Sequence, residues 1–409
     1  MPTTFSRLEV AEWRQFRRVE MDFHPHLTVM TGANGAGKTT LLNILGRHFG
    51  WTVAFIATSR LTKLGVYRFF SGAVADLDEE ANPTRQVGRI VYADASEASI
   101  AVPAQVAESF DVSIQNQQPV QGLFLPSHRP VYTYRRVDQI PTQIDARQQI
   151  FDQYYSNLLS MYQPQSRFDS PSYRLKAALI SLATFGYGNQ VVESNAEAIA
   201  TFEGFERVLK EVLPPAIGFR RLAIRLPEVV LECASGDFSL DAASGGIAAV
   251  IDIAWQLYMK SLVVSEFVAV CDEPENHLHP ELQRSILPGL IRAFASVQFI
   301  VATHNPFVVT SVRDSNVYVL EFIESRVESS HLAEVDRAGS ANQVLRDALG
   351  VPAPIPLWVE ERLDEIVRRF ESKSLTDDTL SELRQEMREV GLGELFPDAV
   401  AKIVRRSEQ

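Results

Sequence analysis

The segment that most constrains this chain is Gly32-Ala33-Asn34-Gly35-Ala36-Gly37-Lys38-Thr39, a G-x-x-x-x-G-K-T loop between the apolar run Leu27 to Met30 and the helix-forming stretch Thr40 to Phe49. A strand, a glycine-rich turn and a helix start in that order aim backbone N–H groups and a helix N-terminus at one point, where an anionic phosphate is stabilised. The chain is therefore expected to fold as an α/β protein around that loop. Asn34, Gly35, Ala36, Gly37, Lys38, Thr39 and Thr40 are the candidate nucleotide contacts. Lys38 would reach the β- and γ-phosphates of a nucleotide, and the Thr39 hydroxyl would take one corner of an octahedral Mg²⁺.

Composition excludes several alternatives. The 409 residues, 46% hydrophobic and 22% charged, make a globular chain long enough for two or three packed units. A net charge of −12 argues against wrapping nucleic acid by bulk electrostatics, although a local basic patch is compatible with it. Met1 to Val10 lacks a basic n-region and an apolar h-region, and no apolar run is long enough to span a bilayer. A cytoplasmic protein without membrane association is the expectation. Cys233 and Cys271 lie in apolar, strand-like runs and read as buried reduced thiols.

Along the chain, Val19, Met21 and Phe23 alternate with Glu20 and Asp22 as in a half-buried strand. Arg17 and Arg18 beside it are open to two readings, surface snorkelling or approach to the nucleotide. Between Trp51 and Tyr134, segments such as Gly88 to Ala93, Ala98 to Val102 and Gly122 to Leu125 predict an antiparallel sheet. Arg129 follows the last of these and is either a surface-turn residue or a visitor to the site. Helical spacing then takes over at Phe151, Tyr154, Leu158, at Leu175, Leu179, Leu182, and at Phe202, Phe205, Leu209. Strand-like character returns from Phe219 to Leu240.

A second cluster of chemistry begins at Ser244-Gly245-Gly246, where Ser244 reads as the N-cap of a helix whose apolar residues start at Ile247. Phe267 to Cys271 reads as a central parallel strand, and it ends in Asp272-Glu273, where open α/β sheets place their ligands. Asp272 would hold Mg²⁺ and Glu273 would polarise the attacking water. Another apolar strand, Gln298 to Ala302, delivers His304 to the same edge. His277 and His279 lack a third soft ligand nearby, so they are not read as a metal centre.

This order of motifs resembles the ATP-binding-cassette (ABC) ATPase superfamily in its non-transporter branch. Gly32 to Thr39 corresponds to Walker A, Ser244 to Gly246 to the signature, Phe267 to Glu273 to Walker B, Glu275 to His279 to the D-loop, and His304 to the switch histidine. The wording at 272–280 and 302–306 particularly resembles ATPases of bacterial anti-phage systems, including the overcoming-lysogenisation-defect, Septu and retron-associated types. Ile247 stands where the family commonly has a polar residue after the glycines, and no clear glutamine-loop residue is found.

The resemblance implies an ABC-type P-loop ATPase, also described as an AAA family ATPase, with a central mixed sheet, an antiparallel β lobe, an inserted helical subdomain and a C-terminal helical extension. The expected divisions are 1–140, 141–215, 216–335 and 336–409. It further implies a homodimer, or a higher even oligomer, sandwiching ATP, with Lys38, Glu273 and His304 catalytic, Ser244 to Gly246 completing the partner's site, and Thr39 and Asp272 on the metal. Nothing after 310 has the pattern of the family's nuclease domain, so a separate nuclease or toxin effector encoded nearby is the expected partner. The alternative is an ATPase that binds DNA directly through Arg17, Arg18, Arg135, Arg136, Arg220 and Arg221.

Overall fold

A computed structural model describes residues 3–61, 65–72, 84–103, 105–129, 134–140, 147–160, 171–333, 357–370 and 376–407. The chain divides into two units, Met1–Val344 and Leu345–Gln409.

The first unit is built on an 11-stranded sheet. Its order is Ser113–Gln115, Glu97–Pro103, Thr84–Tyr92, Phe5–Trp13, Phe16–Asp22, Arg326–His331, Asn316–Ile323, Leu27–Gly32, Val297–Ala302, Phe267–Asp272 and Gly122–Leu125. The first five strands pair antiparallel. The last five, from Asn316–Ile323 to Gly122–Leu125, are mutually parallel. The sheet is thus mixed, as the family resemblance implied.

Hydropathy explains the division. Every residue of Leu27–Gly32, Phe267–Asp272 and Val297–Ala302 is buried, which requires cover on both faces. In Phe16–Asp22 the alternation appears as buried Val19 and Met21 between half-buried Glu20 and exposed Asp22.

One strand departs from expectation. Gly122–Leu125 does not extend the antiparallel lobe; it lies parallel to Phe267–Asp272, with Leu125 opposite Cys271. All four of its residues are buried, as a strand covered on both faces requires. Trp51 fixes it, stacking on Phe124 with centroids 4.4 Å apart while its Nε1 donates to Asn43 at 3.0 Å.

Helices Arg147–Ser160, Pro171–Tyr187 and Ala196–Val212 follow, with Tyr154, Leu158, Leu175, Leu179, Phe205 and Leu209 buried along their apolar stripes. Phe205 meets Trp255 of helix Gly245–Ser261 edge-on at 5.0 Å. Lys176 is fully buried and reaches Asp241 and, at 3.2 Å, Glu228. This ion pair ties an inserted helix to the turn just before Ser244. The strand-like stretch after Pro215 forms a three-stranded sheet of Phe219–Arg225, Glu228–Cys233 and Phe238–Ser239. Cys233 and Cys271 are free and buried.

The second unit contains helices Leu357–Phe370, Asp377–Glu389 and Phe396–Ser407 around Val359, Leu363, Ile366, Val367, Phe370, Leu383 and Met387. Val390 is exposed, because the helix ends at Glu389 and Gly391 turns the chain at φ 77°. Among the described residues no helix is long and apolar enough to cross a membrane.

Candidate active site

The glycine-rich loop leaves strand Leu27–Gly32 and closes on helix Lys38–Gly46, which packs over the parallel strands. Two glycines are dictated by geometry. Gly32 has φ 138°, and a Cβ there would stand 2.4 Å from the Leu320 carbonyl oxygen. Gly37 has φ 94°, and a Cβ would stand 2.4 Å from both Gln15 Nε2 and Phe16 Cζ. Asn34, Gly35 and Thr39 are exposed and Thr40 is half-buried, whereas Ala36 is turned into the core. The Ala36 N–H donates to the Ala33 carbonyl at 3.2 Å.

Lys38 is buried, and its Nζ donates to the carbonyls of Gly32 at 2.8 Å and Ala33 at 3.1 Å. Burial lowers its pKa. An ammonium has three donors, so one remains beyond these two contacts. Thr39 Oγ1 donates to Asp272 Oδ2 at 2.9 Å, joining the loop to the end of strand Phe267–Asp272. Burial pushes the Asp272 carboxyl up to about 6, against the Thr39 hydrogen bond and the charge of Lys38.

Glu273, the next residue, has left the strand with φ 46°. Its N–H donates to Ala302 at 2.8 Å, its Oε2 accepts from Asn276 Nδ2 at 2.8 Å, and its Oε1 lies 2.9 Å from His304 Nδ1. Burial works to raise this carboxyl, but the bonds from Asn276 and His304 outweigh it and hold it below the usual carboxylate range. The two adjacent carboxyls are thus shifted in opposite directions, because burial prevails at Asp272 and hydrogen bonding prevails at Glu273.

The structure brings Lys38, Thr39, Asp272, Glu273 and His304 to one edge of the sheet. Ser244, Gly245 and Gly246 stand apart, at the start of helix Gly245–Ser261. Ser244 occupies the N-cap position, but its side chain makes no cap hydrogen bond, and Ser244 and Gly245 are exposed. Gly246 faces the turn after the carboxylates, where a Cβ would lie 3.0 Å from the His277 carbonyl oxygen.

Gln15 has no role in the sequence reading, Glu275 and Asn276 enter it only within the D-loop segment, and Arg129 stands open there between a surface turn and the site. Asn276 binds the Glu273 side chain across one turn, a three-residue spacing that is visible in the sequence. Glu275 is buried and accepts from Thr303 Oγ1, which also accepts from the N–H of Asn305 at 2.9 Å. Burial raises the Glu275 carboxyl. Arg129 donates through Nη1 and Nη2 to the Glu273 carbonyl oxygen, both at 3.2 Å. Gln15 Nε2 reaches the Gly35 carbonyl at 3.4 Å. His279 caps helix Pro280–Ala293, accepting from the N–H of Glu281 at 3.4 Å. Among the described residues no three His, Cys, Asp or Glu side chains gather as a metal cluster.

The arginines proposed for a DNA groove are largely engaged elsewhere. Arg17 pairs with Glu324 and Glu328, Arg18 with Glu20, and Arg221 with Glu232, while Arg135 lies over the Tyr173 ring. Of the two readings of Arg17 and Arg18, the structure selects ion pairs on the sheet surface.

Parts of the chain are similar to known proteins. Residues 7–177 match the family described as "AAA domain", and residues 240–310 match "AAA domain, putative AbiEii toxin, Type IV TA system". The retron Ec83 probable ATPase of Escherichia coli is 27% identical over 135 residues, 33% of this chain and 20% of that protein. The retron Vc95 probable ATPase of Vibrio cholerae serotype O1 biovar El Tor is 27% identical over 105 residues, 26% of this chain and 20% of its own length. The matches thus span about a fifth of these curated relatives.

Among solved structures, the SMC head domain from Thermotoga maritima aligns with a TM-score of 0.41 and 14% identity, over 81% of this chain and 100% of that one. An Smc head domain with an extended coiled coil, bound to the C-terminal domain of ScpA derived from Pyrococcus furiosus, gives 0.44 and 13%, over 82% and 98%. At such scores the likeness adds nothing to what the strand order already shows.

The sheet, the glycine-rich loop and the carboxylate edge are those of a P-loop α/β protein, and two stretches of the chain are similar to AAA domains. Over about a third of its length the chain is also similar to the retron probable ATPases.

Proposed function

We propose that this protein binds Mg-ATP, hydrolyses it to ADP and phosphate, and works as a homodimer that serves as the regulatory ATPase of an anti-phage system, controlling a nuclease or toxin effector. The observation that carries the enzymatic part is the Thr39–Asp272 contact at 2.9 Å beside the Glu273–His304 contact at 2.9 Å. The retron association of the relatives supports the defence role.

The donor set fits magnesium. Thr39 and Asp272 offer a hydroxyl and a carboxylate oxygen side by side, the hard donors that Mg²⁺ takes when phosphates and water complete its shell. Bound there, the ion would neutralise charge that builds on the phosphates. The remaining chemistry belongs to the chain. Loop N–H groups and Lys38 bind and orient the triphosphate. Glu273, held ionised by Asn276 and His304, takes the proton of the water that attacks the γ-phosphorus as the bond to the β,γ-bridging oxygen breaks. The exposed Ser244 and Gly245, at a helix N-terminus, suit contact with the γ-phosphate held by a second copy.

Replacing Glu273 with Gln is expected to lower turnover by roughly 10²–10⁴-fold while ATP binding persists. Equal turnover in variant and wild type would remove Glu273 from its role. For the defence role, purification together with the products of adjacent genes should yield a complex, and its absence contradicts that part of the proposal.

A further inference from the structure

The parallel strand Gly122–Leu125 has a consequence for the carboxylate edge. Because Leu125 sits opposite Cys271, the chain leaving this strand runs alongside Asp272 and Glu273. Four residues on, Arg129 directs both terminal nitrogens at a single acceptor, the Glu273 carbonyl oxygen, each at 3.2 Å. In the same segment the Ser127 carbonyl accepts from Asn276 Nδ2 at 3.4 Å, the group that also holds the Glu273 side chain at 2.8 Å.

Glu273 needs such support. At φ 46° it occupies the left-handed region, which is disfavoured for a residue with a Cβ and persists only where its surroundings over-determine it. Its N–H is tied to Ala302 at 2.8 Å, so the remaining backbone freedom lies in the direction of its carbonyl. A planar guanidinium placing two N–H groups on one oxygen fixes that direction, and a lysine ammonium would do so only as a point charge.

We propose that Arg129 is a positioning residue for Glu273. It holds the backbone in the conformation from which the carboxylate reaches both Asn276 and His304, and so sets where the general base stands. This rests on the reading of Glu273 as the base.

The test uses the full chain with Arg129→Gln, Arg129→Ala and Arg129→Lys, measured beside Glu273→Gln. Steady-state turnover, ATP affinity and thermal unfolding are recorded for each. Arg129→Gln is expected to lower kcat roughly 100-fold, the scale of a misplaced catalytic group, with ATP affinity within about threefold of wild type. Arg129→Lys should fall between, and low-millimolar guanidinium should return part of the turnover to Arg129→Ala but none to Glu273→Gln. The proposal is overturned by wild-type kcat in Arg129→Gln. It is equally overturned if ATP affinity and kcat fall together with no guanidinium response, since the contact would then be purely structural. Wild-type turnover in Glu273→Gln would instead bring down the reading on which the proposal rests.

Discussion

The loop-and-carboxylate half of the site and the segment Ser244 to Gly246 are built in opposite ways. In the first, Lys38, Thr39, Asp272, Glu273 and His304 are held within the chain, by loop carbonyls, by one another and by Asn276. In the second, Ser244 and Gly245 are exposed at a helix start, and the serine side chain makes no cap bond. The two segments differ in how far the chain itself engages their polar groups. A cluster whose partners are internal is organised before any ligand arrives. An exposed hydroxyl at a helix N-terminus has its use at a surface.

The contrast can be sharpened by attacking the internally held half first. Lys38→Ala removes a charge-assisted contact to phosphate worth about 2–3 kcal/mol, so ATP should bind roughly 30–150-fold more weakly in an equilibrium titration. Undiminished affinity would show that the loop does not hold the triphosphate through this side chain.

A smaller effect is expected from Asp272→Asn. Burial has raised the Asp272 carboxyl in the folded chain to about 6, so between pH 4 and pH 6 the unfolded chain loses this proton while the folded chain keeps it. Fewer protons are then bound in the unfolded state, and stability falls as pH rises through that window. Below it the group is protonated in both states, and above it the group is ionised in both. Asp272→Asn removes this slope and should gain about 1–2 kcal/mol relative to wild type on going from pH 4 to pH 6.5, read by urea unfolding. A constant difference across the range would mean that the carboxylate is not strained by its burial.

What was legible in the sequence follows the same division. The loop, Asp272, Glu273 and His304 are each announced by a strand whose apolar run ends at the functional residue, so local pattern sufficed. The pairing of Gly122–Leu125 with Phe267–Asp272 spans more than 140 residues and leaves no local mark, so local pattern puts the strand in the antiparallel lobe and leaves both readings of Arg129 open. Arg17 and Arg18 looked like a basic cluster beside the site because Glu324 and Glu328 are distant in sequence, although they pair with Arg17 in the fold. Asn276 was readable from its one-turn spacing to Glu273, whereas the Thr303–Glu275 contact depends on two strand ends meeting.

The most direct test of the account is a mixing experiment with Lys38→Ala and Ser244→Arg chains. Each alone should hydrolyse little ATP, the first for want of binding and the second because an arginine at the exposed helix start blocks the partner's site. If the site is completed by a second copy, each mixed pair contains one intact loop facing one intact signature. Turnover should then reappear on mixing, up to about a quarter of the wild-type rate when the chains pair at random. Failure of the mixture to exceed its separate components, or full activity of Ser244→Arg alone, would contradict a site shared between two chains.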